Sequence, residues 1–290
     1  DAAGFLDPTF STGVWLATNG GERAGRLVDR CLQRPALTDW YRYRFEAAER
    51  RLQHAVHRAH RLAEELRDLP HVRDDDGKHL LDTGRYQTLL DGLRTEVPNM
   101  LVQITTEAVG IYTPQQQSKL VFDLKPNFVS VGFREMIGDG SQIACDHATH
   151  FYHHSLNSQI HVQHILYDVD DLARFRKAMA EGILPTARPH VLIVLGRYSG
   201  NFQSDPKEME PFIADGLPDM ASWSICAFGY REFDVMIEAI KNGGHCRVGF
   251  ENNLHLRDGT LASTSADLVR QLADACQPAT REETLEVFAL

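Results

Sequence analysis

No stretch of the chain approaches the roughly 18 consecutive apolar residues of a membrane-spanning helix, and no basic-then-apolar leader opens it. A protein that stays off the membrane, in the cytoplasm, is therefore expected. Basic charge is also short: 30 Lys and Arg against 40 Asp and Glu give a net charge of −10. A phosphate-binding surface is normally basic, so this balance argues against a nucleic-acid partner. There are only five cysteines, odd in number and widely spaced, and no CxxC occurs. That pattern predicts reduced thiols rather than a disulfide framework or a Cys-based metal knuckle. Neither GxGxxG nor GxxxxGK[ST] occurs, so the glycine-rich phosphate loop that usually marks an open dinucleotide-binding sheet is missing.

What is there is an ordinary globular composition, 43% hydrophobic and 24% charged over 290 residues. Short apolar runs rich in β-branched residues recur at 13–18 (GVWLAT), 69–73 (LPHVR), 100–105 (MLVQIT), 128–132 (FVSVG), 161–167 (HVQHILY), 190–195 (HVLIVL), 222–228 (SWSICAF) and 246–250 (CRVGF). They alternate little between apolar and polar, as parallel strands covered on both faces do. Helical patterns fill the gaps at 82–96, 114–122, 168–180, 207–214, 231–242, 264–275 and 281–288. Thr113 followed by Pro114, and Asp168 before an apolar stripe, read as helix starts, while Gly243-Gly244 reads as a stop. Strand then helix, repeated eight times, predicts an α/β fold: one (β/α)8 TIM-barrel domain over 1–290.

The segment from about 20 to 68 stands apart, with eleven arginines and no lysine. Residues 47–67 read as one long charged helix, on which His54, His57 and His60 fall along one side. A solvated helix face is the expected explanation, as it is for His147, His150, His153 and His154.

In a barrel, chemistry is built at the C-terminal ends of the strands. That rule selects His71 and Arg73; Thr105, Thr106 and Glu107; Arg134 and Glu135; Gln163, His164, Tyr167 and Asp168; Gly196, Arg197 and Tyr198; and Arg247, Glu251, Asn252 and Asn253. By themselves these are the polar groups that any such barrel carries there, and several would serve structure alone.

Seven of the stretches together resemble a known family. They are HVRDDDGKHLL (71–81), LVQITTEAVGIY (101–112), KPNFVSVGFREM (125–136), VQHILYD (162–168), VLGRY (194–198), CAFG (226–229) and RVGFENNL (247–254). In this order they are similar to the β-keto acid cleavage enzymes. The resemblance implies a zinc-dependent barrel that binds a β-keto acid and acetyl-CoA and releases acetoacetate and a CoA ester by retro-Claisen cleavage with CoA transfer. It also implies a homo-oligomer, dimer or tetramer. Residue by residue, it implies zinc ligation by His71 and Glu251. Arg247 matches an arginine that forms a base dyad with a neighbouring acid, whose place Asn252 takes. Thr105 or Thr106 matches a small hydroxyl residue that holds substrate. Glu107, Arg197 and Ser130 are expected to contact substrate, Arg197 through a carboxylate or the CoA phosphates. Zinc would act as a Lewis acid on the carbonyl.

The sequence also departs from the family. Leu69, which cannot ligate zinc, stands where the first histidine is expected, with Pro70 after it, and residues 22–70 carry no resemblance. These departures keep two other functions open: a degenerate barrel that binds a ligand without turnover, and a different metal-dependent aldolase or hydrolase.

Overall fold

The computed structural model describes residues 72, 79–96, 98–185, 188–197, 202–276 and 278–288. The expected strands at 13–18 and 69–73, the charged segment at 20–68, and the candidates His71, Leu69, Pro70, Arg73 and Tyr198 lie outside those residues, Val72 excepted.

Six strands follow one another in one parallel sheet: β1 Gln103–Thr105, β2 Phe128–Gly132, β3 His161–Leu166, β4 His190–Leu195, β5 Ser222–Ala227 and β6 His245–Arg247. Their spatial order is their chain order, and the sheet curls into a partial barrel. Register is fixed by pairs such as Thr105↔Ser130, Ile165↔Leu192 and Cys226↔Arg247. Helices cover the outside: α1 Thr83–Glu96, α2 Pro114–Leu124, α3 Phe133–Ile137, α4 Gln142–Asn157, α5 Val169–Ala180, α6 Glu210–Ala214, α7 Glu232–Lys241, α8 Ser265–Ala275 and α9 Arg281–Phe288.

Local chemistry sets most of these boundaries. Thr113 caps α2 in a capping box with Gln116, Pro114 supplies the first helical residue, and Lys125 ends the helix in a left-handed conformation. The Asp168 side chain accepts the Asp171 N–H at 2.7 Å and so starts α5. Two expectations need correction. The run expected as a strand to Phe250 stops at Arg247, because Gly249 opens a turn in which its carbonyl takes the N–H groups of Asn252 (3.0 Å) and Asn253 (3.2 Å). The single helix expected at 207–214 is a 3-10 turn over Pro206–Met209 followed by α6, in which Pro211 has no N–H to give.

Side chains alternate across each strand. One set faces the helices and forms the main core, with Val129, Val131, Leu166, Val191, Ile193 and Ile225 packed among Phe133, Phe151, Phe175, Leu172 and Met236. The other set lines the concave face. There a separate apolar cluster of Ile165, Leu192, Val194, Cys226 and Phe228, with Tyr167 against it, lies beside a polar rung in which Gln103 bonds Gln163 (3.0 Å) and Gln163 bonds Ser224 (3.1 Å). The strands are buried on both faces for this reason, as their unalternating sequences require. No helix among the described residues is long and apolar enough to cross a membrane.

Candidate active site

The C-terminal strand ends gather two ion pairs. Arg247 closes β6, and its guanidinium pairs with Glu251 on the following turn; both side chains are largely buried. Nη1 of Arg247 also reaches Cys226 Sγ at 3.6 Å, at the end of β5. Burial alone would lower the Arg247 pKa, but Glu251, with Cys226, Glu107 and Tyr167 around it, holds it above the ordinary value. Arg247 is therefore a fixed cation. Burial pushes the Cys226 thiol up to about 12, with Arg247 pulling the other way, so it keeps its proton at neutral pH.

The second pair joins β1 to β4. Arg197 Nη2 lies 3.3 Å from Glu107 Oε1, and its guanidinium sits 5.4 Å from the Phe228 ring centroid. Gly196, just before Arg197, adopts φ +78, and a Cβ there would stand 2.9 Å from the Gln203 backbone. Only glycine fits that approach without a shift.

A buried network braces Glu107. Its backbone carbonyl is 3.0 Å from His79 Nδ1, and His79 Nε2 is 2.6 Å from the Tyr86 hydroxyl, which is itself 3.0 Å from the Thr105 carbonyl. The Glu135 carboxylate accepts the Ala108 N–H (3.1 Å) and Gln117 Nε2 (2.7 Å), and Gln117 also donates to the Thr106 carbonyl (2.7 Å). Burial raises the Glu135 pKa against those hydrogen bonds.

The structure thus brings together Arg247, Glu251, Glu107 and Arg197. Three expected hydroxyl residues are otherwise engaged. Thr106 Oγ1 donates to the Ser130 carbonyl (3.3 Å), Ser130 Oγ donates to the Ile104 carbonyl (3.4 Å), and Thr105 Oγ1 accepts the Glu107 N–H (3.3 Å). They bind β1 to β2 and hold the turn beneath Glu107. Asn252 touches the backbone of Arg247, not its guanidinium: Nδ2 is 3.4 Å from the Arg247 carbonyl and 3.3 Å from Glu232 Oε1. Arg134 stands to one side, tied to Asp168 (2.7 Å) and Asp171 (2.6 Å) over the Tyr167 ring.

Glu232 and Cys226 carry weight here that their sequence positions did not announce. Cys226 lay in a recognised stretch, CAFG, but was expected only as one of five reduced thiols. Glu232 looked like any acidic residue in a first helical turn.

A model of the beta-keto acid cleavage enzyme family matches residues 70–284. The chain belongs to that family. Similar proteins include the 3-keto-5-aminohexanoate cleavage enzymes of Acetoanaerobium sticklandii (24% identical over 205 residues, 70% of this chain and 74% of that one) and Fusobacterium nucleatum (24% over 217 residues, 73% and 77%). The 3-oxoadipate:acetyl-CoA acetyltransferase of Cupriavidus necator is 25% identical over 217 residues, 71% of this chain and 73% of that protein. The chain is an enzyme of the β-keto acid cleavage type.

The zinc implied by the resemblance would rest on His71 and Glu251. Glu251 turns its carboxylate to Arg247, and among the described residues no three His, Cys, Asp or Glu side chains converge. The described residues alone do not fit a metal; a zinc would need His71 and a further ligand from outside them.

Proposed function

We propose that this enzyme cleaves a β-keto acid with acetyl-CoA, releasing acetoacetate and the CoA ester of the remaining fragment, within a closed (β/α)8 barrel. The observation that carries the reading is the meeting of two arginine–carboxylate pairs, Arg247–Glu251 and Arg197–Glu107, over an apolar wall at the C-terminal strand ends. The name of the Cupriavidus necator relative, an acetyl-CoA acetyltransferase acting on 3-oxoadipate, supports acetyl-CoA as co-substrate.

The reaction needs the acidic carbon between two carbonyls to lose a proton and attack the thioester carbonyl, expelling CoA thiolate. The thiolate then adds to the substrate's own keto carbonyl, and the C–C bond breaks to leave the CoA ester and the acetoacetate carbanion, which takes up a proton. Negative charge develops on oxygen at each stage. Arg247, permanently charged and buried, is the group that faces this charge, where exclusion of water strengthens its effect. Arg197 takes the substrate carboxylate through its planar fork, by exchange with the single contact it makes to Glu107. Ile165, Val194 and Phe228 keep water from the enolate. The buried Cys226 thiol keeps its proton and is no nucleophile, so acetyl passes directly from the thioester to the bound substrate with no acyl group carried on the enzyme. The same reading places the enzyme in the cytoplasm as a homo-oligomer.

The test is acetoacetate release from acetyl-CoA and a panel of β-keto acids bearing cationic, anionic and neutral tails, with 3-oxoadipate and 3-keto-5-aminohexanoate included. Zinc content is measured on the same preparation. Release dependent on both substrates supports the reading, and no acetoacetate from any member, with zinc supplied, overturns it. Asn252 in the place of the family acid supports a second reading, a binder without turnover; thermal stabilisation by acetyl-CoA with no product would mark it.

A further inference from the structure

Glu232 opens α7 and is completely buried, yet no step above uses it. Its carboxylate does not face its own helix neighbours. It reaches across to the turn after β6, where Oε1 accepts Asn252 Nδ2 at 3.3 Å, Oε2 accepts Asn253 Nδ2 at 3.1 Å, and the Gly249 N–H supplies a third donor. Asn253 Nδ2 is shared with the His255 carbonyl at 2.6 Å, and Asn252 Nδ2 with the Arg247 carbonyl at 3.4 Å. One carboxylate from the β5 side thus grips the whole turn that carries Arg247 and Glu251.

All of its partners are donors, so the cradle is shaped for an ionised carboxylate rather than an acid or an amide. Burial pushes the Glu232 pKa up to about 8 against the hydrogen bonds and the nearby Arg247, so the ionised form that these donors favour is complete only in the mildly alkaline range. Asn252 is 94% buried, and its Oδ1 has no hydrogen-bonding partner among the described residues. The amide is therefore fixed by its nitrogen, with its oxygen left over. Asn252 also stands where the resemblance expects an acid beside Arg247. The carboxyl group missing at 252 is thus found one hydrogen bond away, at 232.

We infer that Glu232 is a positioning residue of this active site: through Asn252 and Asn253 it holds the Arg247–Glu251 turn in place, and it supplies the carboxylate that position 252 lacks. The inference rests on the proposed β-keto acid cleavage.

The test is a charge transposition in the full chain: Glu232→Gln, Asn252→Asp and the double variant, each followed by kcat, KM and thermal unfolding. Glu232→Gln turns an amide NH2 towards N–H donors at nearly constant volume. It is expected to lower kcat by roughly 100-fold, the cost of about a 1 Å misplacement, with KM changed much less. Asn252→Asp sets two carboxylates against each other and lowers both kcat and the melting temperature. The double variant restores one carboxylate and one amide across the same hydrogen bond, and it should recover most of both. A side chain that merely fills space would tolerate Glu232→Gln and gain nothing from the swap. Unchanged kcat in Glu232→Gln, or a double variant no better than the worse single one, overturns the inference while leaving the proposed reaction standing. If the unaltered enzyme releases no acetoacetate, the proposed reaction fails by itself. The melting temperatures then decide: recovery in the double variant upholds the grip of Glu232 on the turn, and additive losses overturn it.

Discussion

Acidification should destabilise this protein through one histidine packed between the sheet and its covering helices. His164 lies on the helix-facing side of β3, with its ring 5.1 Å from that of Tyr152 and 4.9 Å from that of Phe175. It is fully enclosed, and Nδ1 has no hydrogen-bonding partner among the described residues. Burial pushes its pKa from 6.5 down to about 3, with a smaller push from His190. The folded value lies below the unfolded one, so the unfolded chain binds more protons on acidification. The stability His164 contributes is complete above about pH 6.5 and is lost as the pH falls from there towards 3. At about pH 5, some 1.5 pH units into that window, the loss is roughly 2 kcal/mol. For a chain of 290 residues that is about 3 °C in melting temperature. His190, pushed down to about 4 mainly by burial, adds to the same slope. The assay is urea unfolding at pH 7.5 and pH 5 for the protein and for His164→Leu, which keeps an apolar side chain in the slot and removes the titration. The protein should lose about 2 kcal/mol more than the variant over that interval. Equal losses, or an imidazole at 164 titrating near 6.5 by NMR, would refute the reasoning.

Glu251→Gln leaves Arg247 buried and charged without its partner; unfolding by urea should show a loss of about 3–5 kcal/mol, and Arg247→Met combined with Glu251→Leu should recover a large part of it. Gly196→Ala forces a side chain onto the Gln203 backbone at φ +78, displacing Arg197; KM for the keto acid should rise several-fold while a modest loss of melting temperature, on the order of 1–3 kcal/mol in stability, accompanies it.

The sheet was legible because strands buried on both faces write their burial directly into the sequence. VLIVL at 191–195, five apolar residues in a row, offers no polar face that could belong to a solvent-exposed sheet. Helix starts were legible where a cap was spelled out, as at Thr113 and Asp168. The end of β6 was not, because the turn is set by Gly249 taking two N–H groups, and the apolar Val248 and Phe250 looked like more strand. In the candidate site, Arg247, Glu251, Glu107 and Arg197 could be picked out by their place after strands. The pairing Glu107–Arg197 spans 90 residues and depends on the curl of the sheet, which no local pattern encodes. Glu232 was hidden for a related reason: its role is read only from the turn it grips, which belongs to the next strand.

The two ion pairs at the strand ends also bear on how a ligand is received. Each arginine there is already matched by a carboxylate, so those four side chains together present no net charge, on a protein whose formal charge is −10. An anionic substrate is therefore not drawn in by a surplus of positive potential. On the proposed reaction it would enter by displacing a resident carboxylate, one anion for another, so that the cations stay matched. Affinity in such an exchange reflects the difference between two similar contacts, which makes the shape of the incoming molecule count for more than its charge. Added salt, which weakens both contacts alike, should barely disturb the choice.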